Sequence, residues 1–459
     1  MKDSIKLWEA QRKANVFLLH TLWKNRRAVN LSDMGTGKTL MSLSSVSQLF
    51  VADKIDRVVI VIRKALALNW VEHIEKYSNF SGMELLVYTA KSKRALLKTA
   101  QIIIVGYEML RSRETEFDDI IDHRTCIVCD EASKLKGTTL RKVGGKWVVG
   151  SQITVVVKKL LDKHNPFFIF MTGTLISKTP LEAYNLLYMY YHGNYSHFMS
   201  FRATYCIMTK QKIIVGFRNL HRLEREIRKI SVSLKMEDIV EMPELVTENR
   251  YIVLKANHRK LYDQYKKMGY IKVGDSLIEG GNALTDLLRG IQIASDPGIL
   301  TGEWSDSKIE SLREDLVEIG DNKVIIACHF VKTAERIMFK LKEWGYKAVD
   351  MYGGTKDKGS SEKAFRGDAQ ILVGHRQTIG YGLNLQFCHY LINYENWYDV
   401  EAHTQCLDRI RRPGQKHKMF IINYIAQDTV DKKVIDSIQE GIDLGKYLVQ
   451  NNIGGRDFL

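Results

Sequence analysis

The run from Gln405 to Gln415 carries an amide and two arginines at spacings that suit chemistry on a polyanion. As a helix it would set Gln405, Arg409 and Arg412 at i, i+4 and i+7 on one face, with Leu407 and Ile410 elsewhere and Pro413-Gly414 as the stop. Two guanidiniums held side by side fit a triphosphate, because each offers a planar fork of donors and keeps its charge. In isolation such a pattern reads better as a solvated basic face.

A second group, far upstream, shifts that balance. Ser32-Asp33-Met34-Gly35-Thr36-Gly37-Lys38-Thr39 follows the apolar run from Ala28 to Leu31 and precedes Leu40, Leu43, Val46, Leu49 and Phe50 at helical spacing. Strand, glycine loop and helix start therefore come in the order of a phosphate cradle, with backbone N–H groups facing the anion. In that reading Gly35, Thr36 and Gly37 line the cradle, Lys38 reaches the β and γ phosphates, and the Thr39 hydroxyl ligates Mg²⁺. Ser32 stands where the GxxxxGK[ST] pattern has its first glycine.

A third group, Asp130-Glu131-Ala132-Ser133, follows the apolar run from Cys126 to Cys129. A strand there would aim both carboxylates out of the carboxyl end of a sheet, where open α/β sheets bind ligands. Asp130 is the candidate metal ligand, and Glu131 the candidate base that orients and deprotonates an attacking water. An exposed acidic turn is the plain alternative.

These groups need elements to position them. Apolar runs at 58–62, 85–88, 101–105, 126–129 and 167–171 alternate with helix-length amphipathic stretches. A second series lies at 324–328, 347–351, 370–373, 390–394 and 419–424. The alternation predicts an α/β fold of two doubly wound, largely parallel lobes in tandem. The expected division is 1–241 and 242–459, with Met242-Pro243-Glu244 as the hinge. Helical insertions are expected over about 180–241 and 255–300, and a helix followed by a short polar tail from Thr429.

The 459 residues suffice for two or three domains. Hydrophobic residues make up 45% and charged residues 26%, as in ordinary globular chains. A net charge of +15 favours a nucleic-acid partner. No apolar run is long enough for a membrane span, so a cytoplasmic protein without a membrane partner is expected, nuclear if eukaryotic. The six cysteines are scattered. Cys126 and Cys129 have CxxC spacing but read as small buried strand residues rather than metal ligands.

Taken in order, these motifs resemble the superfamily 2 helicase-type ATPases of the Snf2-like (Swi2/Snf2) group, from about residue 5 to residue 440. Gln11 matches the group's adenine-reading glutamine, Asp33 to Thr39 its motif I, and Asn69 to Glu72 its motif Ia. Gly106-Tyr107-Glu108 resembles motif Ib, Asp130 to Ser133 motif II, and Thr172-Gly173-Thr174 motif III. Ser307-Lys308 and Cys328-His329-Phe330 resemble the entry to motif IV, Thr378 to Leu385 motif V, and Gln405 to Gln415 motif VI. Ser133 replaces the histidine of DEAH-type members, and Leu175 a proline. The tryptophan that precedes motif VI has two candidates, Trp397 and Tyr398.

The resemblance implies two RecA-like lobes and Mg²⁺-dependent ATP hydrolysis between them. Gln11 and Gly380 join the phosphate loop as nucleotide contacts, and Gln405, Arg409 and Arg412 act with Lys38 and Glu131 in catalysis. It also implies DNA contacts at Lys64, Asn69, Trp70, Tyr107, Thr172, His329, Phe330, Tyr352, Thr378, Asn384 and Trp397, mainly to phosphates. Trp70 and Phe330 read equally as core residues. The basic stretch Arg222 to Lys229, interleaved with Glu224 and Glu226, leans towards a solvated helix.

The expected function is an ATP-driven DNA translocase or helicase acting on duplex, forked or branched DNA in replication, recombination or repair. Its compact size resembles small phage- or bacteria-encoded members, and a monomer is expected. An RNA- or transcription-complex-directed motor and a non-catalytic clamp or scaffold are the alternatives. Intact Lys38, Thr39, Asp130, Glu131, Arg409 and Arg412 speak against the scaffold.

Overall fold

The computed structural model describes residues 6–80, 82–143, 146–173, 175, 176, 179–211, 214–273, 276–353, 355, 357–380, 383–441, 456 and 459. Thr174 of motif III, Tyr381 and Gly382 of motif V, and most of the expected tail lie outside them. The chain divides into two compact units, Met1–Glu241 and Met242–Leu459.

The first unit is built on a seven-stranded sheet. Its strands are β1 (Arg27–Asn30), β2 (Arg57–Ile62), β3 (Leu85–Tyr88), β4 (Ile102–Gly106), β5 (Thr125–Cys129), β6 (Phe167–Met171) and β7 (Ser231–Val232). They lie in the order β7-β1-β6-β5-β2-β4-β3, and every pairing is parallel. Helices cover both faces, so the strands must be apolar on both sides. The β2 sequence shows it: Val59 and Val61 join one hydrophobic cluster, while Val58, Ile60 and Ile62 join the other. The helices that matter for the site are α1 (Glu9–Asn25), α2 (Lys38–Val51) and α3 (Ala67–Tyr77).

The second unit repeats the plan with six parallel strands, β8 (Leu245–Ile252), β9 (Val324–Cys328), β10 (Ala348–Met351), β11 (Ile371–His375), β12 (Tyr390–Asn393) and β13 (Met419–Ala426). Their order is β8-β13-β12-β9-β11-β10. Ile325 and Ala327 of β9 pack on one face of the sheet, Val324 and Ile326 on the other. Beside the sheet, Lys308 and Asp431 form a fully buried ion pair, Nζ to Oδ2 2.7 Å. Lys308 thus ties two helix starts of the core together.

Two strands escape the apolar-run criterion. β8 reads Leu-Val-Thr-Glu-Asn-Arg-Tyr-Ile because it is an edge strand, paired with β13 on one side only and largely open to solvent. β7 is two residues long. The stretch from 180 to 300 is helical in the main, but it also holds two small hairpins, Cys206–Met208 with Ile214–Phe217 and Tyr270–Val273 with Ser276–Glu279. The last helix runs from Val430 to Gln439. All six cysteines are buried and unbonded, Cys126 and Cys129 within β5. Among the described residues no helix is long and apolar enough to cross a membrane.

Candidate functional site

In the first unit, β1, β6 and β5 are neighbours in a parallel sheet, so the loops that leave their carboxyl ends gather at one place. The loop after β1 is the glycine loop, braced from outside by the segment that follows β7. Leu31 N donates to Val232 O at 2.8 Å and Asp33 N to Leu234 O at 2.9 Å. The buried Ser32 hydroxyl accepts from Leu234 N at 3.0 Å. Serine at the first-glycine position therefore has a job that glycine cannot do.

Further along, Gly35 and Gly37 take φ of +80° and +86°, a region costly for other residues. Gly37 is doubly required, since a Cβ there would lie 2.5 Å from Gln11 Nε2. Gln11, on the first turn of α1, donates from Nε2 to Thr36 O at 2.9 Å and accepts from Trp8 N at 3.0 Å. The glutamine is buried and holds the loop. Lys38 opens α2; its Nζ donates to Ser32 O at 2.7 Å and Asp33 O at 2.8 Å, which folds the ammonium over the loop. Thr39 follows, half-buried, in the first turn of α2.

Beyond β5, Asp130 N donates to Val61 O at 2.9 Å, continuing the sheet by one residue. The Asp130 carboxylate accepts from Trp70 Nε1 at 2.8 Å through Oδ2 and from Glu131 N at 2.9 Å through Oδ1. Burial raises its pKa, and the Trp70 hydrogen bond and the nearby Lys38 charge pull the other way. A half-buried carboxylate suits a hard divalent cation, and the Thr39 hydroxyl at the start of α2 in the same unit is a second oxygen ligand of the kind such a cation takes.

Glu131 has φ of +50°, the left-handed region in which a non-glycine residue costs roughly 1–2 kcal/mol. It keeps that conformation while buried, and its Oε1 accepts from Thr172 Oγ1 at 3.3 Å. Thr172 N in turn donates to Asn30 O at 3.1 Å. The loops after β1, β5 and β6 are thus hydrogen-bonded into one assembly, with a Cβ built on Gly173 only 3.6 Å from Lys38 Nζ. Ser133, in place of histidine, accepts from the Arg63 guanidinium at 3.2 Å.

Three residues expected to touch nucleic acid are placed otherwise. Trp70 is buried and orients Asp130; Tyr107 is buried and donates to Asp130 O at 2.8 Å; Thr172 is fully buried against Glu131. Side chains spent on the carboxylate loop offer no surface to a strand. Lys64 is exposed at the end of β2, and Asn69 is half-buried on α3.

In the second unit the helix that carries Gln405 spans Val400–Leu407 and stops short of the arginines. Arg409 N bonds to Cys406 O and Ile410 N to Leu407 O, three residues back, so the chain tightens into turns before Pro413. The expected single helical face is replaced by a different device. Arg409 Nε donates to Gln405 O at 3.1 Å and Arg412 Nε to Asp408 O at 2.8 Å, each arginine capping a carbonyl at the helix end. Arg409 is buried and also donates to Leu383 O at 3.3 Å. Arg412 is half-buried; desolvation first, then the Arg409 charge, drive its pKa well down. Two like charges set close together define a place that an anion would stabilise.

Gln405 is buried with Nε2 on Glu401 Oε1 at 3.0 Å, and its Oε1 has no hydrogen-bond partner among the described residues. Gly380 is buried against it: a Cβ there would meet Gln405 Cβ at 3.2 Å and Arg376 O at 3.1 Å. Its role in this structure is to let two helices approach.

Nearby, Trp397 stacks on His329 with ring centres 3.8 Å apart and on Tyr398 at 4.3 Å, and Phe330 meets Trp397 edge-on. Burial, then His375 and Arg376, push the His329 pKa down to about 3, so the ring is neutral. Beneath them lies Glu395, which no motif pointed to. This buried carboxylate accepts from the backbone N of His329 and Phe330 at 2.7 and 2.8 Å and from the Thr333 hydroxyl at 2.6 Å. It fixes the start of the following helix. Tyr352 and Thr378 are half-buried and Asn384 is exposed. The basic helix Leu220–Ile230 buries Leu223, Ile227 and Ile230, leaves its arginines in solvent and pairs Arg228 with Glu224.

Known proteins share this arrangement of motifs. The SNF2-related domain matches residues 10–295, and the helicase conserved C-terminal domain matches residues 307–414. A protein named p41 from Acyrthosiphon pisum secondary endosymbiont phage 1 is 24% identical over 91% of this chain and 93% of its own length. An uncharacterized ATP-dependent helicase of Mycoplasma pneumoniae is 25% identical over 91% of this chain, and the DNA repair and recombination protein RDH54 of Saccharomyces cerevisiae 23% identical over 88%. The chain spans only 40% and 47% of those two proteins. Among solved structures, the Sulfolobus solfataricus SWI2/SNF2 ATPase core in complex with dsDNA covers 98% of this chain, and 94% of that chain is covered, at 18% identity and a TM-score of 0.46.

Proposed function

The chain belongs to the SNF2-related family of helicase-type ATPases, and from that membership we propose an ATP-driven motor that moves along duplex, forked or branched DNA in replication, recombination or repair. The observation that carries the reading is the hydrogen-bonded assembly of three loops that brings Lys38, Asp130, Glu131 and Thr172 to one end of the first sheet. The glycine-loop amides and Lys38 bind the phosphates. Asp130 and Thr39 fit Mg²⁺, which supplies charge neutralisation at the β and γ phosphates when bound. Glu131, locked by Thr172 and its own backbone, orients a water and takes its proton. Arg409 and Arg412 supply the remaining positive charge during hydrolysis, so turnover requires both units.

Support for DNA comes from the net charge of +15 and from a relative named for DNA repair and recombination. The test is ATPase rate titrated against single-stranded, duplex, forked and four-way DNA and against RNA. Duplex or branched DNA should stimulate most, with an apparent affinity that falls steeply as salt rises. Stimulation by RNA alone would contradict the DNA reading and favour the RNA-directed motor.

A further inference from the structure

Nine residues after Glu131, beyond a short helical turn, the chain builds a small antiparallel hairpin, Leu140–Val143 with Lys146–Val149. Gly144 and Gly145 between the strands lie outside the described residues. In register, Leu140 faces Val149, Arg141 faces Val148 and Lys142 faces Trp147. Alternation therefore puts Lys142 and Trp147 opposite each other on one face, and both are exposed, Trp147 by 66%.

The base of the hairpin is firmly fixed. Gly150 N donates to Thr139 O at 2.9 Å, Arg141 Nε to Gly150 O at 3.0 Å, and the buried Lys158 Nζ to Val149 O at 2.9 Å. Lys158 also donates to Asn185 Oδ1 at 2.6 Å, and Asn185 holds Leu135 O and Gly137 O. A Cβ on Gly137 would lie 2.7 Å from Ser151 N, so the entry and exit strands are pressed together. Such an anchored base, contrasted with an indole left in solvent at the far end, is not what folding stability would select.

Charge points to the occupant. From Ala132 to Leu161 the sequence holds seven basic residues and no acidic one; Lys136 and Lys158 are buried and Lys159 pairs with Glu114, while Lys134, Arg141 and Lys142 are exposed. An indole face beside the exposed Lys142, on a hairpin whose own sequence has no carboxylate, complements an unpaired nucleotide, whose base stacks while its phosphate meets the ammonium. An intact duplex hides its base faces and would use only the charges.

We propose that the hairpin of Leu140–Val143 and Lys146–Val149 is a single-strand contact, with Trp147 stacking on an unpaired base and Lys142, across from it on the same face, holding a flanking phosphate. This rests on the DNA reading above and narrows it to forks and branched junctions.

The test is the affinity of the full chain for a forked DNA with single-stranded arms and for a blunt duplex, by fluorescence anisotropy, for wild type, Trp147→Ala and Trp147→Phe. Trp147→Ala should weaken fork binding by about tenfold or more and change duplex binding less than about twofold, and Trp147→Phe should restore most of the loss. Equal fork affinities for wild type and Trp147→Ala would overturn the hairpin proposal alone. Equal losses on fork and duplex would also overturn it, because base stacking would then not be the source. A wild-type protein with no affinity for either DNA would overturn the DNA reading and the hairpin proposal with it.

Discussion

Arg412→Ala is expected to lower DNA-stimulated ATP hydrolysis by about 10³-fold or more, while its affinity for duplex DNA stays within about twofold of wild type. The side chain is half-buried, and its one hydrogen bond to the described residues runs from Nε to Asp408 O, which leaves the outer guanidinium nitrogens for a substrate. Arg409→Ala should be as inactive but is the less clean variant. Its guanidinium also holds Gln405 O and Leu383 O in a buried setting, and unpaired buried carbonyls cost about 1–3 kcal/mol each. Thermal unfolding of both variants separates the two effects: Arg412→Ala should melt near wild type and Arg409→Ala several degrees lower. Loss of DNA binding by Arg412→Ala, with hydrolysis per bound complex intact, would return this turn to a basic surface patch.

Glu131→Gln is expected to bind ATP normally and to hydrolyse it about 10²- to 10⁴-fold more slowly. Glutamine is isosteric, and its Oε1 can still accept from Thr172, so the loop should keep its shape. What it cannot do is take a proton from water. Equilibrium binding of a fluorescent ATP analogue, read beside single-turnover hydrolysis, checks both halves of the statement. A variant that loses nucleotide affinity as well would mean that the carboxylate serves the loop rather than the water. The strained backbone at φ of +50° argues for the chemical role, since glycine at that position would relieve the strain at once.

Much of this site was legible because phosphate binding and parallel sheets leave local signatures. The glycine loop between an apolar run and an amphipathic helix, and Asp130-Glu131 after Cys126 to Cys129, need only neighbouring residues to be read. Both sheets could be anticipated for the same reason, as buried parallel strands are continuous apolar runs such as Val58 to Ile62. What stayed hidden depends on partners distant in the chain. Trp70 reads equally as a nucleic-acid contact and as a core residue, and only the fold brings its indole to Asp130, sixty residues on. Ser32 looked like a defect in the glycine pattern until Leu234 arrived to meet its hydroxyl. Glu395 carries no pattern, because its four donors, Ser295 and three within 329–333, lie at least sixty-two residues away in the chain. β8 was invisible because an edge strand need be apolar on one side at most. The helix through Gln405 failed at Asp408 for a local reason that spacing does not reveal: the arginine side chains themselves cap its last carbonyls.

The central claim is that ATP is hydrolysed at the loop assembly of the first unit. The most direct measurement is steady-state phosphate release by purified wild type and Lys38→Ala at saturating duplex DNA and Mg²⁺. Wild type should turn over ATP, and the variant, which lacks the ammonium held over Ser32 O and Asp33 O, should fall to the background rate. Equal rates in the two proteins would contradict the account.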